Sequence, residues 1–203
     1  MNDLKVIDDF LAPSHFDELV KVVSGPKFPW FYGDHVSLPP VDAAFITDPM
    51  AVETAGLSHV MFDQEWQVKS YMYNLFVPFF KTLESKLGLM EQDIIRARAS
   101  LKWPKVGYTK DNYSLPHVDY YYPHETLIFY LNDSDGDTFI FNEWFTYTGN
   151  NNGIASEKFT VQERVTPKAN RLVWIDGLHY HTASNPIDND KRIILNINLN
   201  KCN

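Results

Sequence analysis

The stretch "IIRARASLKW", residues 94–103, is where the period of the chain changes. Ile95, Ala97, Ala99 and Leu101 alternate with Arg96, Arg98, Ser100 and Lys102. A period of two marks an extended strand, because successive side chains point to opposite faces. The apolar set reads as the buried face. Arg96 and Arg98 read as a solvated face, the other reading being a polar face turned toward a substrate. Further strand-like runs follow: "TLIFYLN", "DTFIFNE", "FTVQERVT", "RLVWID", "LHYHTA" and "RIILNINLN". Turn-rich pieces separate them ("NDSDGD", "TPKAN", "NPIDNDK").

Upstream the chain reads helical and mixed. In "APSHFDELVKVVSGP", Ser14 is a candidate N-cap, Phe16, Leu19, Val20 and Val23 share one face, and Gly25-Pro26 is a stop. "FPWFYGDHVSLPP" reads as aromatic and extended. Residues 65–88 read as one long amphipathic helix, kinked at Pro78 and ended by Gly88. Helices followed by about eight short strands predict a mainly β protein with N-terminal helices, a β-sandwich or jelly roll. We read residues 1–203 as a single domain, with 1–90 a helical support and 91–203 the β core.

Composition narrows the function classes. The chain has 203 residues, 44% hydrophobic, with a net charge of −8 and a pI near 5.3. That charge opposes binding to nucleic acid or to an anionic membrane. Cys202 is the only cysteine, so neither an intrachain disulfide nor a cysteine zinc site is expected. The acidic N-terminal stretch and the short apolar runs predict a soluble protein without signal peptide or membrane span, suited to the cytoplasm.

Two His-x-Asp triplets occur, His15-Phe16-Asp17 and His117-Val118-Asp119. With seven His and 17 Asp in the chain, one such triplet by chance is unsurprising. Backbone geometry separates them. In a helix, residues i and i+2 point about 200° apart, so His15 and Asp17 cannot chelate one ion. In an extended segment i and i+2 share a face, so His117 and Asp119 can. They leave a divalent transition metal short of ligands, and "WIDGLHYHTASNP" offers His179 or His181. Both have the same strand parity, so alternation does not choose between them. Arg192, eleven residues after His181, enters an apolar strand, where a planar guanidinium invites a carboxylate partner.

At these residues the chain resembles the Fe(II)/2-oxoglutarate-dependent dioxygenases, in particular the prolyl-4-hydroxylase-like branch and its small phage-type members. The matching elements are His117-x-Asp119, "IFYLND" at 128–133, "DGDTFIF" at 135–141, "RLVWIDG" at 171–177, the histidine of "YHTASNP" and Arg192 in "KRIILNIN". The resemblance implies a double-stranded β-helix (a jelly roll) with Fe(II) held by His117, Asp119 and His181. Its pattern of a histidine followed by small residues favours His181 over His179. It also implies that 2-oxoglutarate chelates the iron and anchors its distal carboxylate on Arg192. Tyr130 would touch that carboxylate, Tyr108 would lie near the iron-side carboxylate, and Asn198, of the same parity as Arg192, would line the pocket. The implied reaction activates O2, decarboxylates 2-oxoglutarate to succinate and CO2, and hydroxylates a substrate C–H bond, with ascorbate as a supporting reductant. Retention of Asp119 argues against halogenation. The implied substrate is a peptide, peptidyl proline first, or a small molecule.

Other features read as structure. "DSDGD" at 133–137 suggests calcium, but an EF-hand register would put Gly136 fourth and Trp144 twelfth, so a tight turn is expected. His124 reads as a loop or pocket-rim residue. At least one of Tyr120, Tyr121 and Tyr122 is expected at the substrate mouth, and residues 144–159 read as a lid or a plain hairpin. Two other function classes compete: a jelly-roll binding or structural module with incidental His and Asp, and a cupin-type metalloenzyme in which Arg192 has no special role.

Overall fold

The computed structural model describes residues 4–34, 48–146 and 159–201. Its elements run β1 (Lys5–Ile7), α1 (Pro13–Val23), β2 (Phe31–Gly33), β3 (Gly56–Asp63), β4 (Val68–Lys69), α2 (Val77–Leu87) and β5 (Ile94–Lys102). They continue with β6 (His124–Tyr130), β7 (Thr138–Trp144), β8 (Val161–Val165), β9 (Leu172–Asp176), β10 (His179–Ala183) and β11 (Arg192–Asn200). No described helix is long and apolar enough to cross a membrane.

Helix α1 begins at Pro13, where a missing N–H costs nothing. Ala12 occupies the cap without a side-chain bond, so the expected cap at Ser14 lies inside the first turn. The helix expected over 65–88 is shorter. Val68–Lys69 pairs with β3, and a 3-10 turn at Tyr73–Phe76 leads into α2. Pro78 therefore falls in the first turn, and it starts the helix instead of kinking it. Gly88 ends α2 at φ +71°, its N–H donating to the Glu84 carbonyl.

The strands form two antiparallel sheets. The larger runs β1-β9-β6-β11-β5-β3-β2, with β4 also on β3, and the smaller runs β10-β7-β8. The first 90 residues carry strands as well as helices. β2, β3 and β4 extend one side of the large sheet, and β1 pairs with β9 at the other. β3, "GLSHVMFD", escaped the periodic reading because its burial alternates only in part.

Alternation on the central strands sorts the protein into layers. On one face of the large sheet, Ala97, Ala99, Phe129, Leu195 and Ile197 join Leu19, Phe79 and Phe80 of the helices in one cluster. The Phe129 ring lies 4.9 Å from Phe79 and 6.0 Å from Phe10. Burying such a ring contributes about 1.5–3 kcal/mol. On the other face, Ile128, Tyr130, Val173, Ile175 and Ile194 pack against Ile140 and Val165 of the small sheet. Phe139, Phe141, Tyr113, Phe159 and Tyr180 cover the small sheet's far side.

Both faces of β5 are therefore covered, and the solvated face expected for Arg96 and Arg98 is not observed. Arg96 and Lys102 are buried and Arg98 half-buried, all on the face between the sheets.

Candidate functional site

His117 and His181 exchange backbone hydrogen bonds, each N–H to the other's carbonyl at 3.0 Å. In such a pair the side chains project to the same side. The two rings stand 4.9 Å apart. Asp119, two residues on, joins them: its Oδ1 is 4.0 Å from His117 Nε2, and its Oδ2 is 3.7 Å from His181 Nε2. One ligand atom from each lies within 4.8 Å of the others, and this is the one such group among the described residues.

Hydrogen bonding sets the tautomers. His117 Nδ1 lies 3.0 Å from the Leu115 carbonyl, and His181 Nδ1 lies 2.9 Å from the His179 carbonyl. A carbonyl only accepts, so Nδ1 carries the proton in both rings and Nε2 keeps its lone pair. Burial, reinforced by His181, pushes the His117 pKa down to about 3 and keeps the ring neutral. His181 Nε2 is buried with no hydrogen-bond partner among the described residues. Two inward lone pairs and a carboxylate are the donor set of a metal centre with open positions.

Burial alone would raise the Asp119 pKa, but the Arg96 guanidinium holds it well below the usual carboxylate range. Arg96 Nη2 donates to Oδ1 at 2.6 Å, and Asn198 Nδ2 donates to Oδ2 at 2.8 Å. Asn198 Oδ1 in turn accepts from Arg96 Nε at 3.1 Å. These contacts fix the carboxylate's orientation, the task of groups one layer out from a metal.

From His117 and His181 a narrow cavity runs between the sheets, past Arg98, Asn196 and Ile194, to Lys102, Thr138 and Arg192. Arg192 is 2% exposed. Its Nε donates to the Gly136 carbonyl at 2.7 Å and its Nη2 to Thr138 Oγ1 at 2.8 Å. A Cβ at position 136 would lie 3.1 Å from Arg192 Cδ and 2.9 Å from the Ser184 carbonyl, so glycine makes room for this seat. Among the described residues no carboxylate pairs with Arg192. A roomier groove of about 820 Å³ beside α1, lined by Glu18, Lys21, Lys27, Phe28, Tyr71 and Leu75 among others, holds no metal-ligand set.

No family model and no curated protein matches the sequence. Solved structures do. A 2OG-Fe(II) oxygenase family oxidoreductase from Burkholderia pseudomallei superposes with a TM-score of 0.60 at 10% identity, over 97% of this chain and 85% of that one. The α-ketoglutarate-dependent epimerase SnoN of nogalamycin biosynthesis gives 0.59 at 11% identity, over 98% and 78%. A prolyl hydroxylase from Trichoplax adhaerens, bound to a hypoxia inducible factor peptide, gives 0.53 at 14% identity, over 98% and 84%. The chain has the fold of the Fe(II)/2-oxoglutarate oxygenases.

Within this oxygenase fold the expected residues fall as follows. His117, Asp119 and His181 converge, and Arg192 stands at the far end of their cavity. His179 does not join them; its ring stacks on Trp144 at 4.2 Å. Tyr130 does not line the cavity directly. Its hydroxyl is 2.6 Å from Thr138 Oγ1 and its ring centre 5.6 Å from the Arg192 guanidinium. Asn198 is placed on Asp119, and Asn196 lines the cavity instead. Tyr108 is buried outside the cavity lining, its hydroxyl pKa raised by burial. Tyr120 lies under Arg96, while Tyr121 stacks on Phe145 and Tyr122 bonds Glu65. His124 is fully buried beside Tyr120 instead of standing at a rim. Asp135 accepts backbone N–H groups from Ile187 and Asp188, which makes "DSDGD" a structural turn. Most of the 144–159 segment, residues 147–158, lies outside the described residues.

Sequence reasoning missed Arg96, Lys102, Thr138 and Asn196. Alternation distinguishes the two faces of β5 and β11, and only the second sheet packed over the polar face shows that it is covered.

Proposed function

We propose that the protein is an Fe(II)- and 2-oxoglutarate-dependent oxygenase built on a double-stranded β-helix, which oxidises a C–H bond of its substrate. One observation carries this reading. A single cavity is lined by His117 and His181 of a His-Asp-His donor set and by a buried guanidinium without a carboxylate partner among the described residues. A dicarboxylate that also binds a metal satisfies both ends at once.

His117 and His181 would give Nε2 lone pairs to Fe(II), and Asp119 would give a carboxylate oxygen. Bound there with 2-oxoglutarate, iron supplies O2 activation coupled to decarboxylation of the cosubstrate to succinate and CO2. The chain's own residues do the positioning. Arg96 and Asn198 hold Asp119 in place, and burial keeps His117 unprotonated. Arg192, braced by Gly136 and Thr138, fits the distal carboxylate with its planar fork. The two sheets keep the cavity narrow, which excludes bulk water from the ionic contacts.

The substrate is read more broadly. Matched folds include prolyl hydroxylases, an epimerase and the carbocyclase SnoK, so fold does not choose among outcomes. We favour hydroxylation, with peptidyl proline the first candidate and small metabolites the next. A cupin-type enzyme without 2-oxoglutarate would leave Arg192 without a ligand. Anaerobic addition of Fe(II) and 2-oxoglutarate is expected to give the weak visible charge-transfer band of the chelate. Absence of the band with metal bound would refute the reading. Mass spectrometry for a gained oxygen atom across candidate peptides and metabolites identifies the substrate.

A further inference from the structure

Two buried cations face one another across the β5–β11 ladder. Lys102 and Arg192 are register partners, 3% and 2% exposed, and both line the cavity described above. Directly opposed residues on antiparallel strands share a face, with Cβ atoms about 4.5–5.5 Å apart. Like charges so placed repel, and burial removes the water that would screen them. Among the described residues neither has a carboxylate within ion-pair distance; Lys102 instead donates to Thr54 Oγ1 at 3.0 Å and to Ser114 Oγ.

The hydrogen count at Lys102 is informative. A neutral amine has two hydrogens, enough for these two hydroxyls. An ammonium has a third, which needs an acceptor that the described residues do not provide. Burial, then the charge of Arg192, lowers the Lys102 pKa to about 7. Arg98 on the same strand and Lys105 act in the same direction, and Glu53 acts against them. The site therefore stands between its two protonation states near neutral pH and lacks one anion.

We propose that Lys102 and Arg192 form a two-cation seat for the distal carboxylate of 2-oxoglutarate, and that Lys102 takes up a proton as the carboxylate enters. This rests on the reading of the cavity given under Proposed function. The balance is simple: solvent gives one proton, the Nζ amine becomes an ammonium, and its third N–H bonds the incoming oxygen. The sign follows. The anion favours the charged lysine, so affinity is highest below about pH 7 and falls as pH rises toward the raised pKa of the complex, by up to about tenfold per unit.

Calorimetric titration of the anaerobic Fe(II)-loaded protein with 2-oxoglutarate, at about pH 8 in two buffers of different ionisation enthalpy, counts the protons. The native chain is expected to take up close to one. Lys102→Met, similar in volume, is expected to take up none and to bind roughly tenfold or more weakly below pH 7, with no pH dependence. Lys102→Arg, permanently charged, should bind without proton uptake. Binding by the native chain with no proton uptake, or a folded Lys102→Met that still takes up the proton, overturns the two-cation seat and leaves the oxygenase reading in place. Failure of the metal-loaded protein to bind 2-oxoglutarate at any pH overturns both.

Discussion

On one face of the β5–β11 ladder stand Ile94, Ala97, Ala99, Ile193, Leu195, Ile197 and Leu199, all at most 2% exposed. On the other stand Arg96, Arg98, Ser100, Lys102, Arg192, Ile194, Asn196 and Asn198. The backbone hydrogen bonds are shared, so the ladder itself is common to both faces. The helix-side face excludes water and contributes stability through apolar burial. The cavity-side face buries several charges, among them Arg96 bonded to the Asp119 carboxylate, and such burial costs stability unless partners or a ligand complete it. One strand pair thus separates an apolar face that holds the fold together from a polar face that lines the cavity.

Substitutions on the two faces sharpen or break that contrast. The largest effect is expected at the cavity's metal end. Asp119→Ala removes the anionic donor and leaves Arg96 buried without its partner. Bound iron, measured on the purified variant, should fall to background, and coupled turnover should vanish. An iron-replete, active variant would take Asp119 out of the site. On the opposite face, Leu195→Ala should lower unfolding free energy by about 2–5 kcal/mol, a fully buried side chain having been truncated. Its iron content and 2-oxoglutarate affinity, measured well below its melting temperature, should match the native chain. A selective loss of ligand binding there would erase the distinction between the faces.

Asn198→Ala is expected to weaken Fe(II) binding by about 10–100-fold, because it frees Asp119, and to lower unfolding free energy by about 1–3 kcal/mol, because Arg96 Nε loses its buried acceptor. A large drop in stability with normal iron affinity would assign Asn198 to the core. Arg192→Lys keeps the charge and loses the fork. Apparent affinity for 2-oxoglutarate should weaken by about tenfold or more, consistent with ~1.5–3 kcal/mol for a charge-assisted hydrogen bond. A shift in substrate KM alone, at unchanged cosubstrate affinity, would move Arg192 to the substrate side.

Particular residues show how far the primary sequence could be read. The change of period at residue 94, the strands after it and the His117-x-Asp119 pair follow from local rules, because alternation and i, i+2 geometry need no knowledge of partners. β3 and β4 did not follow from those rules. Their burial comes from neighbours distant in the chain, and their own pattern is weak. The boundary of α2 was misread because Pro78 has opposite meanings inside a helix and in its first turn.

By itself, then, the sequence determined the mainly β character, a His-x-Asp pair able to share one face and an arginine entering an apolar strand. Each is a property of one segment and its chemistry. Only the tertiary structure shows which of His179 and His181 stands beside His117 and Asp119, since both share a parity. The shift in register between them carries His179 onto Trp144, while the bridge to residue 117 sets His181 beside His117. It also decided that the charged side of β5 faces inward. Alternation says that two faces differ, and only the second sheet packed over one of them says where the water is.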